Sequence, residues 1–113
     1  MIQKEITING KKYPVIFTLA TLFNFEEITE KPFFGADFDI LKNRIDIICA
    51  AAIAADENTE LTVKELRGKE TWEDYVQIAN AYVVVMELAT QFFPKSKKDD
   101  EKPEAEGEDK QKN

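Results

Sequence analysis

Two hydrophobic rhythms divide the chain. From Ile2 to Phe17 apolar and polar residues alternate, as in strands with one covered face. Asn9-Gly10 interrupts the alternation, and this pair suits a two-residue type I′ turn because both positions require positive φ. With that turn Ile8 pairs with Lys11, Ile6 with Tyr13 and Ile2 with Phe17. One face then collects Ile2, Ile6, Ile8, Tyr13, Val15 and Phe17, while Gln3, Glu5 and Thr7 lie on the other. Pro14 falls opposite Glu5 at a non-hydrogen-bonded position, so its missing N–H points away from the partner strand. That blunts the second strand's outer edge and leaves the first strand's edge open, which would suit self-association. A lone hairpin is marginally stable, so its apolar face must rest on helices.

Beyond Phe17 the spacing changes to three and four. Thr18 can cap a helix over about 19–30, with Leu22, Phe25 and Ile28 on its face, Leu19 and Phe23 flanking it, and Pro32 ending it. Asp37 or Asp39 is expected to cap a second helix over about 39–55. Leu41, Ile45, Ile48 and Ala52 form its core face, and the alanines from Ala50 to Ala55 let a neighbour approach closely. Thr62 and Glu65 open a short helix over 62–68, ending at Gly68. Thr71 and Asp74 open the last helix, over 72–93, in the same way.

This last helix is apolar around most of its circumference. Trp72, Tyr75, Val76, Ala79, Tyr82, Val83 and Met86 form one stripe, and Ile78, Ala81, Val85, Leu88 and Phe92 an adjoining one. Only a narrow strip is polar (Glu73, Gln77, Asn80, Glu87, Gln91), and Val84 sits in the middle of it. A helix so patterned needs neighbours on several sides, so it is expected to be the central post. The order predicts an α+β fold, mostly α: an N-terminal hairpin (2–17) packed on a small bundle of three main helices plus one short helix. One globular domain over 1–94 is expected, followed by a disordered charged segment over 95–113, which contains no large apolar residue.

Charge and composition narrow the chemistry. The net charge of −7 resides mostly in the body, where nine Lys and Arg face fifteen acids. An acidic body repels phosphate backbones, which argues against nucleic acid as a direct partner. No apolar run approaches the ~20 residues of a membrane span, and Met1–Phe17 lacks the apolar core of a secretion signal. With a single cysteine no internal disulfide forms, so a soluble protein of a reducing cytoplasm is expected.

There is no histidine, and the one serine, Ser96, lies in the charged C-terminal segment. Neither a Ser–His nor a Cys–His nucleophile pair is available, so no enzyme is expected. Cys49 reads as a small core residue. Zinc and softer metals lack ligands; Asp37, Asp39 and the Asp56–Glu60 loop are explained by caps and a solvated turn, so no metal and no cofactor are expected. What remains is surface for proteins. Phe33 and Phe34 beside Gly35 form either a mobile aromatic loop for a partner or a cap on the core. Val84 is either an ordinary exposed valine or the mark of a second contact surface.

The run Ile6-Thr-Ile-Asn-Gly-Lys-Lys-Tyr-Pro-Val-Ile-Phe-Thr18, followed by Leu22-Phe-Asn-Phe25-Glu26-Glu27, resembles the opening of tail assembly chaperones of long-tailed bacteriophages, prophages and gene-transfer particles. Leu61-Thr62-Val63-Lys64-Glu65-Leu66 and the final amphipathic helix are similar to the family as well, so the resemblance spans residues 2–93. The chain departs from many relatives in having Lys31-Pro32 where they carry a glycine after the first helix. The resemblance implies a non-catalytic helper that binds the helical tape-measure protein, helps recruit tail-tube subunits during tail morphogenesis, and is absent from the finished particle. The alternative is a structural minor tail or head–tail protein that stays in the particle.

Overall fold

The computed structural model describes residues 2–94. Two strands, β1 (Gln3–Ile8) and β2 (Lys11–Ile16), form an antiparallel hairpin, followed by four helices: α1 (Leu19–Thr29), α2 (Leu41–Ala55), α3 (Val63–Arg67) and α4 (Trp72–Phe92). The architecture is the expected α+β one. The expected disordered segment over 95–113 lies outside the described residues.

The hairpin register is Ile8 with Lys11, Ile6 with Tyr13 and Glu5 with Pro14. Asn9 (φ 53°) and Gly10 (φ 80°) both take positive φ, the conformation that a type I′ turn requires. Ile6, Ile8, Tyr13, Val15 and Phe17 are buried against the helices, β1 over α4 and β2 over α2. Ile2 departs from the expected face. It precedes the first paired residue and remains exposed, bordering a shallow groove with Leu88 and Phe92.

Side chains of the sequence set most helix starts. Thr18 Oγ1 accepts from Ala20 N (3.1 Å), and Thr21 Oγ1 accepts in return from Thr18 N (3.0 Å). The same Thr21 hydroxyl donates to Ile16 O (3.0 Å), which ties the end of β2 to the start of α1 in a fully buried position. Thr71 and Asp74 make the reciprocal box at the start of α4. Thr62 accepts from Glu65 N at the start of α3 (3.1 Å). The second helix breaks the expectation. It begins at Leu41 with Ile40 at its N-cap and no side-chain cap, because Asp37 Oδ1 instead closes a local turn by accepting from Asp39 N (2.9 Å).

The central post is α2, and the expectation that α4 fills that role is corrected. From Ile47 to Ala52 every residue of α2 is fully buried, whichever side of the helix it occupies. α1, β2, α3 and α4 all pack on α2, whose run Cys49-Ala50-Ala51-Ala52 is narrow. Asn24 of α1 illustrates the close approach, since its Nδ2 donates to the carbonyl of Ala50 in the middle of α2 (3.2 Å). α4 is buried along Ile78, Ala81, Val85 and Leu88, with Tyr82, Val84 and Met86 half-buried at the margins of that face.

Candidate protein-binding surface

On α4 only one of the two apolar stripes is covered. Ile78, Ala81, Val85 and Leu88 are buried against α2 and the hairpin. The other stripe is exposed at Trp72 (72%), Val83 (54%) and Val76 (39%), while Tyr75 and Ala79 are half-buried and Tyr82 and Met86 pack in part against the core. Trp72, Val76, Ala79, Val83 and Met86 fall within about 80° of one another around the helix, in a line about 21 Å long. Their alternating steps of four and three are the spacing of a coiled-coil seam. Trp72 and Tyr75 stack at 4.9 Å between ring centroids, which fixes the upper end of the line.

The two flanks of this seam differ. On the hairpin side lie Glu73, Asn80 and Glu87, with Glu87 paired to Lys4 of β1 at 2.9 Å. On the other side lie Tyr75 and Tyr82. The Arg44 guanidinium sits 4.8 Å from the Tyr82 ring centroid and also donates to Phe38 O. No lysine or arginine occurs between Trp72 and Phe92.

Phe33, Phe34 and Val84, the residues singled out from the sequence, have three different placements. Phe33 is buried among Phe17 (6.3 Å), Phe25 (5.5 Å), Phe38 (5.8 Å) and Phe93 (6.1 Å), so it offers no surface to a partner. Its amide donates to Glu26 Oε2 at 2.8 Å. The Phe25-Glu26 pair is thereby explained: the phenylalanine packs under the loop and the carboxylate holds the loop's backbone. Phe34 remains 71% exposed beside a groove formed with Pro32, Ala36 and Ile40. Val84 is half-buried, because the polar strip around it is the side of α4 that borders β1. Gln77 of the same strip accepts from Asn9 N at 2.6 Å.

Among the described residues β1 pairs with β2 alone, so no further strand lies at its outer edge. Leu19 and Phe23, one turn apart on α1, are exposed as a smaller apolar pair. The apolar pattern of α4 predicts neighbours on several sides; the exposure of its outer stripe follows from the alanine-rich α2 taking the centre.

One buried charge went unforeseen. Asp46, on α2, is almost fully buried and meets Arg67 of α3, whose Nη2 lies 3.0 and 3.2 Å from the two carboxylate oxygens. Burial pushes the Asp46 carboxyl above its ordinary range, and the Arg67 charge and hydrogen bonds counteract that shift. Cys49 is fully buried, and burial raises its thiol pKa to about 12, so almost no nucleophilic thiolate exists at neutral pH. Among the described residues, no group of three or more His, Cys, Asp or Glu side chains converges as a metal site, and no helix is long and apolar enough to cross a membrane. No family model, curated protein or solved structure matches the chain.

Proposed function

We propose that the chain is a non-catalytic tail assembly chaperone of a bacteriophage or prophage. It binds the tape-measure protein and helps to recruit tail-tube subunits while the tail is built in the cytoplasm of the bacterial host. The observation that carries this reading is the uncovered apolar stripe on α4. A long helical client has apolar stripes of its own that would otherwise aggregate, and a soluble acidic domain with one open apolar helix face can shield them. The resemblance over residues 2–93 supplies the identity of the client. The outer edge of β1 is available for association in the same reading.

Co-expression tests it. The tagged chain is produced with the tape-measure and tail-tube proteins of the same genetic element, and finished particles are assayed for the chain. Soluble tape-measure protein recovered only in the presence of the chain, with no chain in particles, is the expected result. Stoichiometric retention in particles would replace the chaperone with a minor tail or head–tail structural protein.

A further inference from the structure

The hairpin leaves one set of backbone groups without partners. Around a two-residue turn the flanking residues exchange both hydrogen bonds, and every second pair after them does the same. Ile8–Lys11, Ile6–Tyr13 and Lys4–Val15 are therefore the bonded pairs of this register. Gln3, Glu5 and Thr7 point their amides and carbonyls the other way, and no other hydrogen bond reaches these groups among the described residues.

The space beside that edge is a groove of about 410 Å³, with Glu5, Ile6 and Thr7 along one wall and Gln77, Asn80, Ala81 and Val84 along the other. The helical wall is continuous because residues three, four and seven apart share one side of α4. The Asn9 amide, bonded to Gln77 at 2.6 Å, marks one end of the groove, and Lys4, paired with Glu87 at 2.9 Å, marks the other. Glu5 and Thr7 are exposed, so solvent reaches the strand between these two ties.

We infer that this groove seats an extended segment of a partner protein, which joins β1 as a third strand and turns alternate apolar side chains towards Ala81 and Val84. Extended backbone offers donors and acceptors at the ~6.8 Å repeat that Gln3, Glu5 and Thr7 present. Side chains of the added strand that lie opposite Ile6 and Ile8 point to the same face as those residues, which is the α4 side. This site is separate from the exposed stripe of α4, and it stands whichever protein that stripe holds.

Other occupants fit less well. Strands pair about 4.8 Å apart, whereas helices pack about 8–10 Å apart. With β1 over α4 and β2 over α2, α4 is displaced outward, beneath the place that a third strand takes. Antiparallel two-fold pairing of β1 with the β1 of a second copy would drive the two α4 helices into the same space. A lone extended segment brings no helix with it. The chain's own residues 95–113 read KSKKDDEKPEAEGEDKQKN, which are poor strand formers and supply no large apolar side chain to the groove.

Backbone N-methylation of a peptide tests strand addition without altering the protein. The probe is a capped seven-residue peptide alternating lysine and valine, with lysine at both ends; the valines face the groove and the lysines keep the peptide soluble. In the seated strand the lysine amides point at β1 and the valine amides point away. Titration into the isotope-labelled full chain should shift the amide resonances of Glu5, Thr7, Asn80 and Val84 saturably, and slow the exchange of the Glu5 and Thr7 amides. N-methylation of the lysine amides should weaken binding at least about tenfold, and N-methylation of the valine amides should leave it unchanged. Thr7→Pro removes one outward N–H and no bond of the hairpin, as Pro14 already does on β2, and should weaken binding at least about tenfold with an unchanged circular dichroism spectrum.

Equal binding of the two methylated peptides, resonance shifts centred elsewhere, or no binding at millimolar peptide would overturn the proposal. A folded Thr7→Pro chain that binds as before would do the same; if that variant fails to fold, the methylated peptides decide. Slow exchange of the Glu5 and Thr7 amides in the free protein would also overturn it. Protection lost on dilution would assign the edge to a second copy, and protection independent of concentration would assign it to the chain's own residues.

Discussion

The two long helices that meet at the core are both rich in apolar residues, yet they are used in opposite ways. On α2 the small run Cys49 to Ala52 follows Ile47 and Ile48, and neighbours close in until nothing from Ile47 to Ala52 is exposed. On α4 the apolar residues are large: Ile78, Val85 and Leu88 fill the core on one side, while Trp72, Val76 and Val83 stand in solvent on the other. Apolar content around a helix therefore does not by itself predict burial. What decides is how many elements can approach, and backbones approach closely where side chains are short. Apolar surface left on the larger helix is then available for a partner.

Mutating matched positions on the two helices sharpens the contrast. Ile48→Ala on α2 removes a fully buried side chain from a site packed on all sides, and should cost about 3 kcal/mol in chemical denaturation. A loss under about 1 kcal/mol would mean that α2 is not the centre.

Arg67→Ala comes next, because it strips the partner from the one charge buried along α2. Removing one member of a buried ion pair costs about 3–5 kcal/mol, and about 2 is expected here because Arg67 is itself 44% exposed and partly screened by water. The loss should depend on pH. A carboxyl whose folded pKa is raised holds its proton more readily in the folded state, so its contribution to stability diminishes as pH rises from the ordinary Asp value through the folded pKa. Without Arg67 that pKa rises further. The variant's deficit should thus be full at neutral pH and shrink on acidification as Asp46 becomes neutral. A deficit that stays constant would show that Asp46 does not sense Arg67.

Thr71→Ala opens the capping box that starts α4, with an expected loss of about 1 kcal/mol. Faster amide exchange confined to the first turn, around Trp72 to Tyr75, would localise the effect. Val83→Asp should be the mildest change, within about 0.5 kcal/mol of the unmodified protein, since the side chain already lies in water. A loss comparable to that of Ile48→Ala would mean that the outer stripe is covered.

The parts of this fold that were legible in the sequence are those fixed by local chemistry. Asn9-Gly10 determines a turn, the turn determines the register, and the alternation either agrees with that register or does not; here it agrees. Thr18, Thr62 and Thr71 mark helix starts because their hydroxyls satisfy amides within two or three residues. Asp37 was misread as a cap for the same reason that it resembles one: an aspartate can accept from a loop amide as readily as from a helix amide. The candidate surface was legible only as a list of residues. Periodicity placed Trp72, Val76, Val83 and Met86 on one stripe, but which stripe meets the core depends on contacts with α2 and β1, far away in sequence. Phe33 and Phe34 are adjacent and chemically identical, and the position of Phe17, Phe25 and Phe38 around the first ring separates the buried one from the exposed one. Asp46 was hidden because its partner lies on another helix, twenty-one residues away.

The most direct measurement is acrylamide quenching of Trp72 in the free protein across a range of protein concentrations. Full quenching, with the red-shifted emission of a solvated indole at every concentration, is the predicted result. Protected, blue-shifted emission in the free protein would contradict the account, because the outer face of α4 would already be covered.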